Sequence, residues 1–185
     1  SANSLESLLP EALLAVNFGA EQPTDVRSDV TGKAGVNGIS TWVNQDGASG
    51  TADVNGISLT WTSNGTWAST GLGEENNSAP AGDDRNLMTG YLDTSATAPS
   101  TIDVAGLPEG AYDVYVYVKG GVIGRGGEYT IGSVTQENLG TTDFDGTYLD
   151  GPDGDYLRFI GVPGPDFTLT AQPTTGDNPR APIYP

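Results

Sequence analysis

The stretch LPEGAYDVYVYVKG, residues 107–120, decides the fold prediction. It begins with a turn signal, Pro-Glu-Gly, and then alternates strictly between two kinds of side chain. The two alternating sets are Tyr112, Val114, Val116 and Val118, and Asp113, Tyr115, Tyr117 and Lys119. A period of two with β-branched and aromatic residues is typical of a half-buried strand. The valine side is therefore predicted to face a core.

Short apolar runs of the same kind recur along the chain between glycine-rich turns. The main ones are residues 13–19, 57–62, 66–69, 85–93, 101–105, 128–131, 134–137, 155–162 and 166–171. Asn64-Gly65 is predicted to turn a hairpin, because both residues tolerate a positive φ. The pattern predicts about nine or ten short strands with little or no helix. It favours an all-β fold, an antiparallel β-sandwich of jelly-roll type.

One domain accounts for the whole pattern. We expect an N-terminal segment at residues 1–12, the β-sandwich at 13–171, and a proline-rich tail or last edge strand at 172–185.

The composition excludes several classes of function. The 185 residues include no cysteine and no histidine, which excludes disulfides and thiolate metal sites and removes the commonest general base. The net charge of −17 makes nucleic acid and anionic membranes unsuitable partners, because phosphate binding needs a basic face. No run is apolar enough to predict membrane insertion. With no serine or carboxylate motif that stands out, we do not predict an enzyme.

Acidic residues crowd two glycine-rich turns in the second half of the chain. The candidate calcium ligands are Asp143, Asp145, Asp150, Asp153 and Asp155. Calcium binds six to eight oxygens, often from alternate aspartates on tight turns. The alternative is a set of ordinary solvated turns, in which aspartate and glycine are favoured anyway.

Aromatic residues supply a second candidate site. Tyr115 and Tyr117 lie on the side of their strand away from the valines, and Trp42 could join them in a surface that stacks on sugar rings. The alternative is that Trp61 and Trp67 fill the core and that the tyrosines lie under a loop or a second layer.

From residue 15 to residue 183 the chain resembles a family of β-sandwich modules found in large exported bacterial proteins. The matching landmarks are Val16-Asn17-Phe18-Gly19, Thr66-Trp67, Leu87-Met88-Thr89-Gly90-Tyr91-Leu92-Asp93, Leu107-Pro108-Glu109-Gly110-Ala111-Tyr112-Asp113-Val114-Tyr115-Val116-Tyr117, Gly146-Thr147-Tyr148 and Arg180-Ala181-Pro182-Ile183. The resemblance implies a jelly-roll-like sandwich, and related sandwiches often accompany carbohydrate-active enzymes. The family continues past the final isoleucine into another apolar strand, where this chain has Tyr184-Pro185.

The N-terminus carries a second resemblance. Residues 5–15, LESLLPEALLA, are similar to the Leu-Glu-Pro-Arg-x-Leu-Leu segment near the start of some bacterial exported proteins. This resemblance implies export. Together with the acidity and the lack of cysteine, it predicts an extracellular or cell-surface location.

These observations lead to two hypotheses of function. The first is a structural module that assembles with copies of itself into a surface fibre or matrix. Its joining element would be the N-terminal strand with Leu13, Leu14, Val16 and Phe18, added to an open sheet edge of a neighbouring subunit. The alternative is a carbohydrate-binding module that takes polysaccharide as its partner, with or without assistance from calcium.

Overall fold

The computed structural model describes residues 12–19, 29–73, 75–175 and 179–184. The elements in chain order are β1 (Val16–Phe18), β2 (Val43–Gln45), β3 (Ser49–Val54), β4 (Ile57–Thr62), β5 (Gly65–Ala68), α1 (Asp83–Leu87), β6 (Gly90–Asp93), β7 (Ser100–Ala105), β8 (Ala111–Tyr117), β9 (Gly126–Ile131), β10 (Val134–Asn138), β11 (Tyr156–Pro163) and β12 (Phe167–Thr175). The fold is nearly all-β and forms a sandwich, which confirms the predicted fold class. Residues 1–11 of the predicted N-terminal segment lie outside the described residues.

One layer of the sandwich is a six-stranded antiparallel sheet in the order β10-β9-β12-β7-β4-β3. Its inner face follows from the alternation of the sequence, because apolar residues on neighbouring strands lie opposite each other. Leu59 pairs with Val104, and Trp61 pairs with Ile102. All four side chains are buried in the main core.

The second layer consists of three strand pairs, β11-β8, β5-β6 and β1-β2. The C-terminal residues connect two of these pairs. Ile183 forms a bridge with Leu92 of β6, and the backbone N–H of Tyr184 donates to the carbonyl of Tyr117 at the end of β8, at 3.0 Å. Residues near the C-terminus therefore lie inside the second layer.

The strand that decided the fold prediction is β8. Its valine side faces the core as expected, since Val116 and Val118 are buried there and Tyr112 and Val114 pack against the same cluster. The hydroxyl of Tyr112 also donates to the carbonyl of Pro108 at 2.6 Å. This bond holds the turn that precedes β8.

The predicted hairpin at Asn64-Gly65 is wrong. Strands β4 and β5 belong to different layers, and β5 pairs with β6 instead. The hairpin of this region is β3-β4, which turns at Asn55-Gly56 with φ values of 55° and 85°. Both Asn-Gly pairs carry the same local turn signal, and tertiary packing decides which of them makes a hairpin.

Two further boundaries differ from the prediction. The run at residues 85–93 is not one strand, because it begins within α1 and only its second half forms β6. Residues after 171, expected to form a proline-rich tail or a last edge strand, contribute to the sandwich. β12 continues to Thr175, and Ala181, Ile183 and Tyr184 are all buried. No helix among the described residues is long and apolar enough to cross a membrane.

Candidate functional site

The outward side of the β8-β11 ribbon carries a group of partly exposed aromatic and charged residues. We call it the tyrosine face, and it consists of Asp113, Tyr115, Tyr156, Arg158 and Ile160. The antiparallel register places Tyr156 opposite Tyr117 and Arg158 opposite Tyr115. Tyr115 and Tyr156 are therefore diagonal neighbours on the two strands. Their ring centroids lie 6.0 Å apart, with 37° between the ring planes.

Charged groups border the two rings. Arg158 places its guanidinium carbon 5.5 Å from the centroid of the Tyr115 ring and donates from Nη2 to Oδ2 of Asp113 at 2.6 Å. This hydrogen bond from Arg158 lowers the pKa of the Asp113 carboxyl. Ile160, on the same side of β11, is 72% exposed. The face thus combines apolar area with two charged side chains that pair with each other.

A second apolar cluster lies beneath and beside this face, outside the main core. Its buried members are Val30, Ala34, Ala79, Leu87, Met88, Tyr91, Tyr117, Phe144 and Tyr184. The ring of Tyr117 makes edge-to-face contacts with the rings of Trp42 and Tyr148, at centroid distances of 6.4 Å and 5.4 Å. Its hydroxyl accepts from the backbone N–H of Val36 at 2.8 Å, and burial raises its pKa.

The three residues predicted to stack on sugar therefore differ in their environments. Tyr117 is buried, and Trp42 is half-buried with its Nε1 donating to the carbonyl of Ile39. Only Tyr115 presents its ring on the partly exposed face. The second partly exposed ring of this face belongs to Tyr156, which was not among the predicted residues. The sequence pattern nevertheless indicates its position. Leu157 and Phe159 alternate with Tyr156 along the run 155–162, so a strand that buries Leu157 and Phe159 places Tyr156 on its outward side.

Two aspartates at the start of α1 hold neighbouring loops. Oδ1 of Asp84 accepts from the hydroxyl of Tyr148 and from the backbone N–H of Gly35, both at 2.9 Å. Oδ1 of Asp83 accepts from the backbone N–H of Thr31. Burial raises the pKa of Tyr148, and Asp84 adds to that shift. These carboxylates brace the loops that cover the second cluster.

The predicted calcium ligands are not gathered into one site. Asp143 accepts from the hydroxyl of Ser78, Asp145 accepts from the backbone N–H of Thr147, and Asp153 accepts from the hydroxyl of Thr141. Asp150 forms an isolated bridge with Tyr156 through its backbone, and Asp155 is buried. Among the described residues, no group of three or more His, Cys, Asp or Glu side chains is placed to hold a metal ion. The geometry therefore gives the calcium prediction no support.

Lys119 and Asp155 form a buried ion pair that the sequence did not predict. The side chain of each is 1% exposed, and Nζ of Lys119 contacts Oδ1 of Asp155. Nζ also donates to Oγ1 of Thr142 at 2.9 Å, and Oδ2 of Asp155 accepts from the backbone N–H of Leu149 at 2.9 Å. Burial raises the pKa of the Asp155 carboxyl, although Lys119 opposes that shift. The alternation of residues 112–119 predicts that Lys119 lies on the polar side of its strand, with its side chain in solvent.

The N-terminal strand is short and packs within its own chain. β1 pairs in parallel with β2, with Val16 opposite Val43 and Phe18 opposite Gln45. Val16 and Phe18 are buried in the main core, and Leu13 is 49% exposed. Leu14 is partly buried against the same core. Strand addition would therefore have to replace a pairing within the chain by the same pairing between chains.

Comparison with known proteins found no matching family model, curated protein or solved structure. The two resemblances noted in the sequence remain predictions.

Proposed function

We propose that this chain is a non-enzymatic extracellular module that binds neutral polysaccharide through the tyrosine face. The observation that carries the proposal is the pair of adjacent, partly exposed rings of Tyr115 and Tyr156 on the paired strands β8 and β11. Strand pairing fixes the backbone beneath both rings, so little conformational freedom is lost when a ligand binds.

Sugar rings suit this surface chemically. Their axial C–H groups make apolar contact with aromatic rings, and their hydroxyls hydrogen-bond to charged side chains beside the contact. Asp113 and Arg158 supply both an acceptor and a donor next to Tyr115. The net charge of −17 favours a neutral glycan, because an anionic one would be repelled.

Tyr156→Ala is expected to weaken glycan binding about tenfold, because truncating an aromatic anchor costs at least ~1 kcal/mol. Tyr156→Phe is the matched control and keeps most of the binding, since it retains the ring. Affinity electrophoresis with soluble mannan and pull-down with cellulose and chitin measure the difference. Failure of the parent chain to bind any neutral glycan, or equal binding by Tyr156→Ala, would contradict the proposal.

Self-assembly through the N-terminal strand is a second candidate function. It is favoured by the way β1 joins the fold. The backbone of β1 pairs with β2 through three residues and does not pair with the six-stranded sheet. The side chains of Val16 and Phe18 are buried in the main core. Such an element can be exchanged between identical chains without any new type of contact.

A cysteine lock tests this second candidate. Asn17 and Asn44 are direct partners across β1 and β2, and Asn17 donates from Nδ2 to Oδ1 of Asn44 at 2.8 Å. In a chain without cysteine, Asn17→Cys with Asn44→Cys creates one possible disulfide at a spacing that paired strands satisfy. We expect monomers when this variant is oxidised before assembly, and oligomers or filaments after reduction. Light scattering and electron microscopy report the state. Filaments from the oxidised monomer, or monomers in both states, would argue against strand exchange.

A further inference from the structure

The ion pair of Lys119 and Asp155 lies where two paired strands end. Lys119 follows β8, Asp155 precedes β11, and the backbone N–H of Val118 donates to the carbonyl of Asp155 at 2.8 Å. Backbone hydrogen bonds between the two strands therefore already hold together the ends that carry these side chains. Their contact joins Nζ to one carboxyl oxygen, with both side chains almost completely excluded from solvent.

Few groups among the described residues stabilise the two charges separately. Within that part of the chain, Nζ has Oγ1 of Thr142 as a further hydrogen-bond partner, and the carboxylate has the N–H of Leu149. Lys119 also has a φ of 153°, a backbone conformation that L-residues rarely adopt. Strained residues of this kind concentrate at sites where geometry serves a purpose beyond packing.

We propose that Lys119 and Asp155 react to form an intramolecular isopeptide bond, an amide between Nζ and Cγ that covalently joins β8 to β11. Proton transfer from the ammonium to the carboxylate first gives a neutral amine and a neutral carboxylic acid. The lone pair of Nζ then attacks Cγ, the C–N bond forms, and the bond from Cγ to the hydroxyl oxygen breaks. The hydroxyl leaves with a proton from Nζ as one water, so the reaction needs no oxidant and no cofactor.

Burial favours this chemistry at its first step. A site of low dielectric constant disfavours both charges, and the neutral pair is the reactive form. The N–H of Leu149 points at Oδ2, where negative charge develops when Nζ attacks Cγ. Oγ1 of Thr142 accepts from Nζ and in turn donates to the carbonyl of Asp153 at 2.9 Å, which orients the amine. Thr142 is therefore a positioning residue.

Mass spectrometry of the denatured full chain tests the bond directly. We expect an intact mass lower than the sequence mass by one water. After trypsin digestion, peptides 86–125 and 126–158 should appear joined, with no cleavage after Lys119. Cleavage after Lys33, which is exposed, provides the internal control for digestion. The full sequence mass together with cleavage after Lys119 would overturn the proposal and leave a buried ion pair only.

Lys119→Arg is the matched variant, because it keeps the positive charge and cannot form the amide. We expect it to show the full sequence mass. Loss of water in this variant, together with cleavage after Lys119 in the parent chain, would assign the dehydration to another site, such as cyclisation of an aspartate before glycine, and would overturn the proposal. If Lys119→Arg does not fold, the peptide map of the parent chain still decides the question. The result is independent of glycan binding and of assembly.

Discussion

Lys119→Met is expected to be less stable than the double variant Lys119→Met, Asp155→Asn by roughly 3–5 kcal/mol, because it leaves the buried carboxyl of Asp155 without its partner. The asparagine keeps an oxygen for the N–H of Leu149 and removes the charge. Neither variant can form an amide at this position, so the difference between them reports the buried charge alone.

The difference between these two variants should depend on pH. Burial raises the pKa of Asp155 in the folded state, so the folded protein binds this proton more tightly than the unfolded chain does. Lys119→Met is therefore most stable at low pH and loses stability as the pH rises from the ordinary aspartate range through the folded-state pKa. Urea unfolding at several pH values measures this. A stability difference that is the same at pH 4 and pH 7 would show that Asp155 is not buried as a charge.

The sequence predicted much of the fold, because the alternation of β4, β7, β8 and β11 decides which side of each strand is apolar. It could not predict partners across layers. Asn55-Gly56 and Asn64-Gly65 carry the same local turn signal, but β5 pairs with β6 and not with β4. Residues beyond 171 looked like a polar tail, since few of them are apolar. Yet Ile183 and Tyr184 fill positions between β6 and β8.

The candidate sites were harder to predict, for a physical reason. Alternation separates two sides of a strand but does not show whether the polar side meets water. Here loops braced by Asp83 and Asp84 cover part of it. Tyr117, expected to point outward, is buried, and its hydroxyl accepts from the backbone N–H of Val36 in one of these loops. Lys119, also expected to point outward, is buried against Asp155 and Thr142, whereas Tyr115 stays partly exposed. Nothing in the sequence paired Lys119 with Asp155, which depends on the register of β8 with β11.

Trp61→Ala is expected to destabilise the fold by about 3–5 kcal/mol, the range for removing a large buried aromatic side chain. Trp61 is 3% exposed, and its Nε1 donates to the carbonyl of Gly47 at 2.9 Å. Its six-membered ring lies over Gly50, its partner on β3, where a Cβ atom would overlap the indole. Phe18 of β1 packs against it with 5.5 Å between ring centroids.

Two phenylalanine variants separate the contribution of the indole N–H from that of ring volume. Trp61→Phe loses a hydrogen bond, so its cost should exceed that of Trp67→Phe. Among the described residues, the Nε1 of Trp67 has no hydrogen-bond partner. Thermal and urea unfolding provide the comparison, and equal costs would contradict the argument.

Because Phe18 packs on Trp61, Trp61→Ala should also loosen β1. A larger increase of amide exchange in β1 than in β9, each measured relative to the parent chain, would show that the contact between Phe18 and Trp61 helps to hold the N-terminal strand in the core.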